Sequence, residues 1–384
     1  MRKEFLTFGK PNIGEEEIAE VVDTLRSGWI GTGPKVGIFE DAFKQYIGAD
    51  FAIAVSSCTA ALHLAMLVSG VEEGDEVITS PMTFCATANA IVHTGAKPVF
   101  VDVDKNTMNL NPQLLEDAIT PQTKAIVPVH FAGRPCDMDA INEISTKHNL
   151  VVIEDAAHAL ESSIGTRKIG TLSDATCFSF YVTKSLVTAE GGMITTNNEE
   201  WVDSLKMYAL HGMDRDAWKR YSDQGFKHYS VEFPGFKYNM TDIQASIGLH
   251  QIKRVESHLK ARIEQWKVYD EAFAELTFTK PCIPKFEDTH ARHLYTILID
   301  EKRDGMSRDQ FQSTLHSLNI GTGIHYTAVH LHPYYARKWG YRRGDFPEAE
   351  YISDRTLSLP LGGHLNLGGL SDVVEAVLDI SRKN

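Results

Sequence analysis

What most constrains the fold of this chain is a series of short apolar runs through its first two-thirds. Phe51–Val55, Glu76–Thr79, Lys97–Asp102, Lys124–Val129, Leu150–Glu154, Thr176–Phe180 and Gly192–Thr196 read as strands, most of them apolar almost throughout. A strand wetted on one face alternates apolar and polar residues, so a continuous apolar run needs cover on both faces. Helical patterns lie between several of them, at Thr59–Val68, Asn111–Ile119 and Met138–His148. This alternation predicts an α/β domain with a mainly parallel sheet covered by helices.

Beyond Asn239 the texture changes. Thr241–Phe273 predicts one long helix, with Ile243, Ile247, Leu249 and Ile252 spaced for buried faces and Thr241 and Asp242 as capping side chains. A strand at His293–Ile299 and helices at Ser307–Leu318 and Leu370–Ser381 predict a smaller α+β domain. A chain of 384 residues suits two domains. The expected division is 1–254, a large domain with an N-terminal arm, and 255–384, the small one.

The formal net charge of −13 opposes non-specific attachment to nucleic acid or anionic membranes. No apolar run approaches the roughly 20 residues of a membrane helix, and no signal-peptide core opens the chain, so a cytoplasmic protein is expected. Cys58, Cys85, Cys136, Cys177 and Cys282 are scattered without a C-x-x-C pair. Reduced thiols are expected, not a disulfide framework or a zinc site.

Three constellations carry chemistry. Val55–His63 is a strand turning through small polar residues into a helix, and free N–H groups at such a helix start can seat a phosphate. The same residues alone also describe an ordinary capped helix. Asp155, in Glu154-Asp-Ala-Ala-His158, stands at the carboxyl end of an apolar strand, where open α/β sheets bind ligands. Lys184 follows a further strand amid apolar and small residues, and burial makes a lysine amine nucleophilic by lowering its pKa.

In this order the three resemble the cofactor site of fold-type I enzymes that use pyridoxal 5′-phosphate (PLP). The chain resembles the DegT/DnrJ/EryC1/StrS family of sugar aminotransferases nearly end to end. Ser27-Gly-Trp29, Gly33-Pro34, Gly74–Ile78, Thr83–Asn89, Gly95–Val99, Val129-His130 and Glu154–His158 carry the likeness, as do Phe178–Phe180 with Lys184 and Glu190–Gly192, Met240–Gln244, His325-Tyr326 and Ser358–Leu361. The resemblance implies that Lys184 carries PLP as an internal aldimine and moves protons in a ping-pong transamination. It implies that Asp155 holds the pyridine nitrogen protonated, that Phe84 stacks on the ring and that His158 lies near its O3′ side. Thr59, Ala60 and Ser179 are implied phosphate contacts, and His325 and Tyr326 are implied to line the sugar pocket. The implied substrates are L-glutamate and a nucleotide-linked keto-sugar, leaning to a 4-keto sugar. The implied assembly is a homodimer with its site between subunits.

Two positions depart from the family pattern. Cys58 stands where a glycine is usual before Thr59, which implies strain or a different turn if φ is positive there. Gly235-Phe-Lys-Tyr-Asn239 replaces the usual Gly-Tyr-Asn-Tyr-Arg, so either Lys237 or Asn239 reaches the phosphate of the neighbouring subunit's cofactor. The stretch 214–233 is either a loop near the substrate or a solvated connection, with Arg215, Lys219 and Arg220 as candidate contacts to nucleotide phosphates. A sugar dehydratase and a non-catalytic regulator are the alternatives. Lys184 stands against the first, because dehydratase relatives carry histidine there, and the complete Asp155–Lys184 pair against the second. No metal is expected, since His325, His330 and His332 lack the carboxylates and spacing of zinc helices.

Overall fold

The computed structural model describes residues 2–214, 229–281 and 287–382. Helices α1 (Glu15–Ser27) and α2 (Pro34–Ile47) come first. Nine strands follow: β1 (Phe51–Val55), β2 (Glu76–Thr79), β3 (Lys97–Phe100), β4 (Thr123–Val127), β5 (Val151–Asp155), a short ribbon of β6 (Ser163–Ile164) and β7 (Arg167–Lys168), then β8 (Ala175–Ser179) and β9 (Gly192–Thr196). Seven form one sheet in the order β1-β9-β8-β5-β4-β2-β3. β9 runs antiparallel to both of its neighbours, and the other pairs are parallel.

Neighbouring residues along each central strand enter opposite cores. Ile126, Val152 and Phe178 pack with Phe39 and Phe43 on one face. Val127, Ile153 and Cys177 pack on the other with α3 (Cys58–Val68), which covers it. The period of two along a strand makes a run buried on both faces read as uniformly apolar. Strand ends differ from expectation by one or two residues, as β3 ending at Phe100 rather than Asp102.

Helices α4 (Cys85–His93) and α6 (Met138–His148) connect strands, with the one-turn α5 (Leu115–Ala118) between them and α7 (Glu199–Ala209) after β9. The helix expected at Asn111–Ile119 is a single 3₁₀ turn followed by α5.

The long helix expected at Thr241–Phe273 is two helices, α8 (Asp242–Gln251) and α9 (Val255–Ala272), joined by a 3₁₀ turn at Ile252–Arg254. No proline or glycine marks the break. It coincides with buried tertiary bonds: Gln251 Nε2 donates to the Asn12 carbonyl at 2.9 Å and to Glu17 at 2.8 Å, and Arg254 pairs with Glu17. Thr241 caps α8 as expected, accepting from the Gln244 amide. Asp242 does something else: its carboxylate accepts from the Gly33, Lys35 and Val36 amides and caps α2.

Past α9, β10 (Tyr295–Leu298) pairs antiparallel with β11 (Thr356–Leu359). Around them lie α10 (Glu301–Asp304), α11 (Arg308–Ser317), α12 (Pro333–Trp339), α13 (Pro347–Arg355) and α14 (Leu367–Arg382). Their core includes Trp266, Tyr269, Tyr295, Phe311 and Val377, and it takes in Leu6 from the N-terminal arm. Among the described residues no helix is long and apolar enough to cross a membrane.

Candidate active site

Strand register brings the chemistry together. Val55 at the end of β1 pairs with Gly192, Gly192 pairs with Ser179 at the end of β8, and Cys177 pairs with Asp155 at the end of β5. One edge of the sheet therefore carries the start of α3, Ser179, Asp155 and the turn leading to Lys184. A cavity of about 610 Å³ opens there, and Thr59, Phe84, Asp155, His158, Ser179, Lys184, His325 and Tyr326 all line it.

Asp155 is buried at the strand end. Its Oδ2 accepts from Thr87 Oγ1 at 2.7 Å and its Oδ1 from the Ala157 amide at 3.1 Å. Burial pushes its carboxyl pKa up, while these two bonds and the Lys184 amine oppose the shift. A carboxylate placed so gains most from a cation set against it within the cavity.

The Lys184 amine is held down to about 8, because burial disfavours its charged form more than Asp155 and Cys58 favour it. Three imidazoles share its surroundings. The His158 and His293 rings lie against each other, tilted by 32° with centroids 4.4 Å apart. His325 accepts or donates at Nδ1 with Ser358 Oγ, 2.9 Å away. All three are depressed, by burial first and by Lys184 next, His325 to about 3 and the other two well below the usual range. They are neutral at pH 7.

The phosphate-type turn is an ordinary helix start. Ser57 is extended and caps α3, its hydroxyl accepting from the Ala60 amide at 3.1 Å. Cys58 is the first helical residue without positive φ, so no strain arises there. Its buried thiol faces the Cys177 carbonyl at 3.5 Å. Gly192 is needed where β9 passes this turn: a Cβ there would lie 2.5 Å from the Ser57 carbonyl carbon and 2.7 Å from the Cys58 nitrogen.

Three expected site residues stand outside the cavity lining: Ala60, Lys237 and Asn239. The Ala60 amide is spent on Ser57, and Asn239 Nδ2 donates to Thr32 Oγ1 at 2.6 Å. Lys237 is exposed and bridges Leu210 through its backbone. Arg215, Lys219, Arg220 and Cys282 lie outside the described residues, as does most of 214–233, whose ends meet at Met213 and Val231.

Sequence reasoning gave no role to four residues that shape the site. Thr87 holds Asp155 and is itself 2.7 Å from Thr83, four residues earlier and just ahead of α4. His293 backs His158. His130 Nε2 lies 2.7 Å from Glu154, both fully buried, and its Nδ1 accepts from the Cys136 amide. The Nε2 proton therefore points at Glu154, which also accepts from Ser173 and Thr176.

With this geometry in view, the DegT/DnrJ/EryC1/StrS aminotransferase family model matches residues 11–378. The chain belongs to that family. Within it, the spore coat polysaccharide biosynthesis protein SpsC of Bacillus subtilis is 50% identical over 380 residues, 99% of this chain and 98% of SpsC. MJ1066 of Methanocaldococcus jannaschii, described as uncharacterized, is 51% identical over the full length of both. Spr1654 of Streptococcus pneumoniae, assigned as a sugar aminotransferase and solved in its PMP form, superposes with a TM-score of 0.91 at 33% identity, covering 99% of this chain and 98% of its own. DegT/DnrJ/EryC1/StrS aminotransferases are PLP-dependent fold-type I enzymes. The residues present fit that cofactor: a buried strand-end carboxylate, a lysine amine with a lowered pKa and a capped helix start meet in one cavity.

Proposed function

We propose that this chain moves an amino group from L-glutamate to a nucleotide-linked keto-sugar, with a 4-keto sugar as the favoured acceptor. The observation that carries this reading is the meeting of the Lys184 amine and the Asp155 carboxylate in one cavity. Bound PLP supplies an electron sink and a carrier for the amino group.

Each residue then has work of its own. Lys184 would take a proton from the donor's carbon and return it to the neighbouring position, and burial, which lowers its pKa, favours the neutral amine that this needs. Asp155, oriented by Thr87, would hold the ring nitrogen of bound PLP protonated. Phe84 would stack on the ring, and His158, its Nε2 held by Tyr326, would interact with the ring oxygen. Thr59 and Ser179 would hold the phosphate. His325 and Tyr326 form the sugar side of the cavity.

The site is completed by a second copy of the chain. Lys237 and Asn239 point this way, since neither lines its own cavity. The exposed apolar stripe Ile18, Val22 and Leu25 on α1, continuing to Trp29 and Ile30, supports a homodimer. We further propose the division at 254/255, which the break between α8 and α9 supports, and a cytoplasmic location.

The test is an absorption scan of the purified protein with PLP, before and after L-glutamate. The visible band of lysine-bound PLP should form and then give way to the pyridoxamine band. A band that forms and ignores glutamate would remove this donor. Absence of the band would remove Lys184 from its role.

A further inference from the structure

Strand β5 ends in two carboxylates, and the reading above uses only one of them. Asp155 lines the cavity, whereas its neighbour Glu154 does not and is 0% exposed. A carboxylate that reaches neither solvent nor ligand has to be held by other groups of the fold. Three donors converge on Glu154: His130 Nε2 at 2.7 Å, Ser173 Oγ at 2.6 Å and Thr176 Oγ1 at 2.8 Å. No lysine or arginine pairs with it among the described residues.

The sheet is interrupted where these contacts are made. β4 pairs with β5 at Ala125–Val151 and at Ile126–Val152. In a parallel ladder the next pair, Val127 with Ile153, draws on the N–H of residue 128, and Pro128 has none. Pairing resumes in the same register at Val129 and Asp155. There the Asp155 N–H donates to the Pro128 carbonyl at 2.9 Å, and the His130 N–H donates to the Asp155 carbonyl at 3.1 Å. The end of β5 is therefore clasped by the short segment 128–130.

The His130 ring ties that segment back to the strand. With Nδ1 accepting from the Cys136 amide at 3.0 Å, the ring's proton stands at Nε2 and is given to Glu154. Glu154 is bonded in turn across the sheet to Thr176, its register partner on β8. One side chain thus bridges β5, β8 and the segment after β4, one residue before the carboxylate that faces the cavity. A tilt of Glu154 tilts Asp155 with it, because a planar peptide joins them.

We propose that Glu154 is a positioning residue for the transamination: through His130 and Thr176 it fixes the height and direction at which Asp155 meets the ring nitrogen of bound PLP. This rests on the role given to Asp155 above. The role is geometric, so it requires an acceptor of the right length at this position and not a second negative charge.

The experiment uses Glu154→Met, which keeps the length but cannot accept from His130, and Glu154→Gln, which keeps the acceptor and drops the charge. Each is made alone and together with Asp155→Asn. Two quantities are read: the PLP affinity of the apoprotein by fluorescence titration, and the rate at which saturating L-glutamate bleaches the visible band of the loaded protein. Glu154→Met should lower both about tenfold, the scale on which partners behind a site residue act, and Glu154→Gln should restore most of the loss. In the Asp155→Asn background Glu154→Met should add less than about twofold, because the residue it acts through is already disabled. The same further loss in that background, equal losses for the two Glu154 variants, or no loss in Glu154→Met would overturn the proposal. Should Glu154→Met fail to fold, the double change with His130→Phe, which leaves neither group unpaired, takes its place with the same expectations. If glutamate does not bleach the wild type at all, the donor assignment falls, and the PLP affinities still decide the role of Glu154.

Discussion

The Tyr326 hydroxyl lies 3.1 Å from His158 Nε2, joining the strand-end loop after β5 to the segment that precedes α12. Burial and the nearby Lys184 amine both depress His158, so its imidazole is neutral and its bond to Tyr326 involves no imidazolium. The His158 ring signals should therefore stay flat in an NMR titration from pH 8 to pH 5, where a free histidine changes charge near 6.5. A titration midpoint at or above 6 would contradict this.

Replacing that hydroxyl tests the bond itself. Tyr326→Phe leaves the ring in place and removes the partner of His158, with an expected loss of about 1 kcal/mol in chemical unfolding of the apoprotein. Catalysis should suffer more than stability, since His158 would then be free to rotate.

Lys184 should stand apart from the other lysines by its pH response. With its pKa lowered to about 8, the amine becomes neutral as pH rises through 8, whereas an ordinary lysine does so near 10.4. Labelling of the apoprotein by an amine-reactive reagent, read peptide by peptide, should show Lys184 rising first. Lys184→Ala should bind PLP without forming the visible band.

Asp155→Asn should separate folding from function. The buried carboxylate is costly in the apoprotein, so its amide should unfold at an unchanged or higher temperature. Turnover should fall by about a hundredfold or more, the scale for losing a positioned proton-holding group.

A packing prediction concerns Arg262. Its bond to Glu161 joins α9 to the segment after β5, both side chains being buried. Arg262→Met strands the Glu161 carboxylate and should cost about 3–5 kcal/mol in denaturant unfolding. The double change with Glu161→Met should recover most of that loss.

Gly192→Ala should be severe for its size. The added methyl meets backbone at Ser57 and Cys58, which cannot step aside, so a cost of about 2–3 kcal/mol and weaker PLP binding are expected. Thermal unfolding with and without PLP measures both.

Much of the sheet was legible because its strands are buried on both faces. Val151–Asp155 and Ala175–Ser179 announce themselves as apolar runs, shifted by one residue from the expected bounds. That Asp155 and Lys184 belong together was read from the order of the three constellations, which resembles that of fold-type I enzymes, and both line the one cavity. What escaped depends on contacts far apart in sequence. Asp242 reads locally as a cap for its own helix, yet it serves α2, more than 200 residues earlier. The Ile252–Arg254 break has no glycine or proline to announce it; it falls where Gln251 and Arg254 pair with Glu17, more than 230 residues earlier. His130 and Glu154 carry no periodic signal of their partnership. Which neighbours share His158's ring faces could be read only once the fold had folded β10's leading loop back over it.

The pairing of Ser179 with Gly192, and of Cys177 with Asp155, has a consequence for how this chain can change over time. Side chains alternate across β8, so a one-residue slip of its register would turn Phe178 out of its core and carry Cys177 and Ser179 together to the opposite face. The segment that aims Lys184 is thus the segment whose misalignment unfolds the protein. A copy that shifts β8 by one residue loses its packing and its site geometry in the same step.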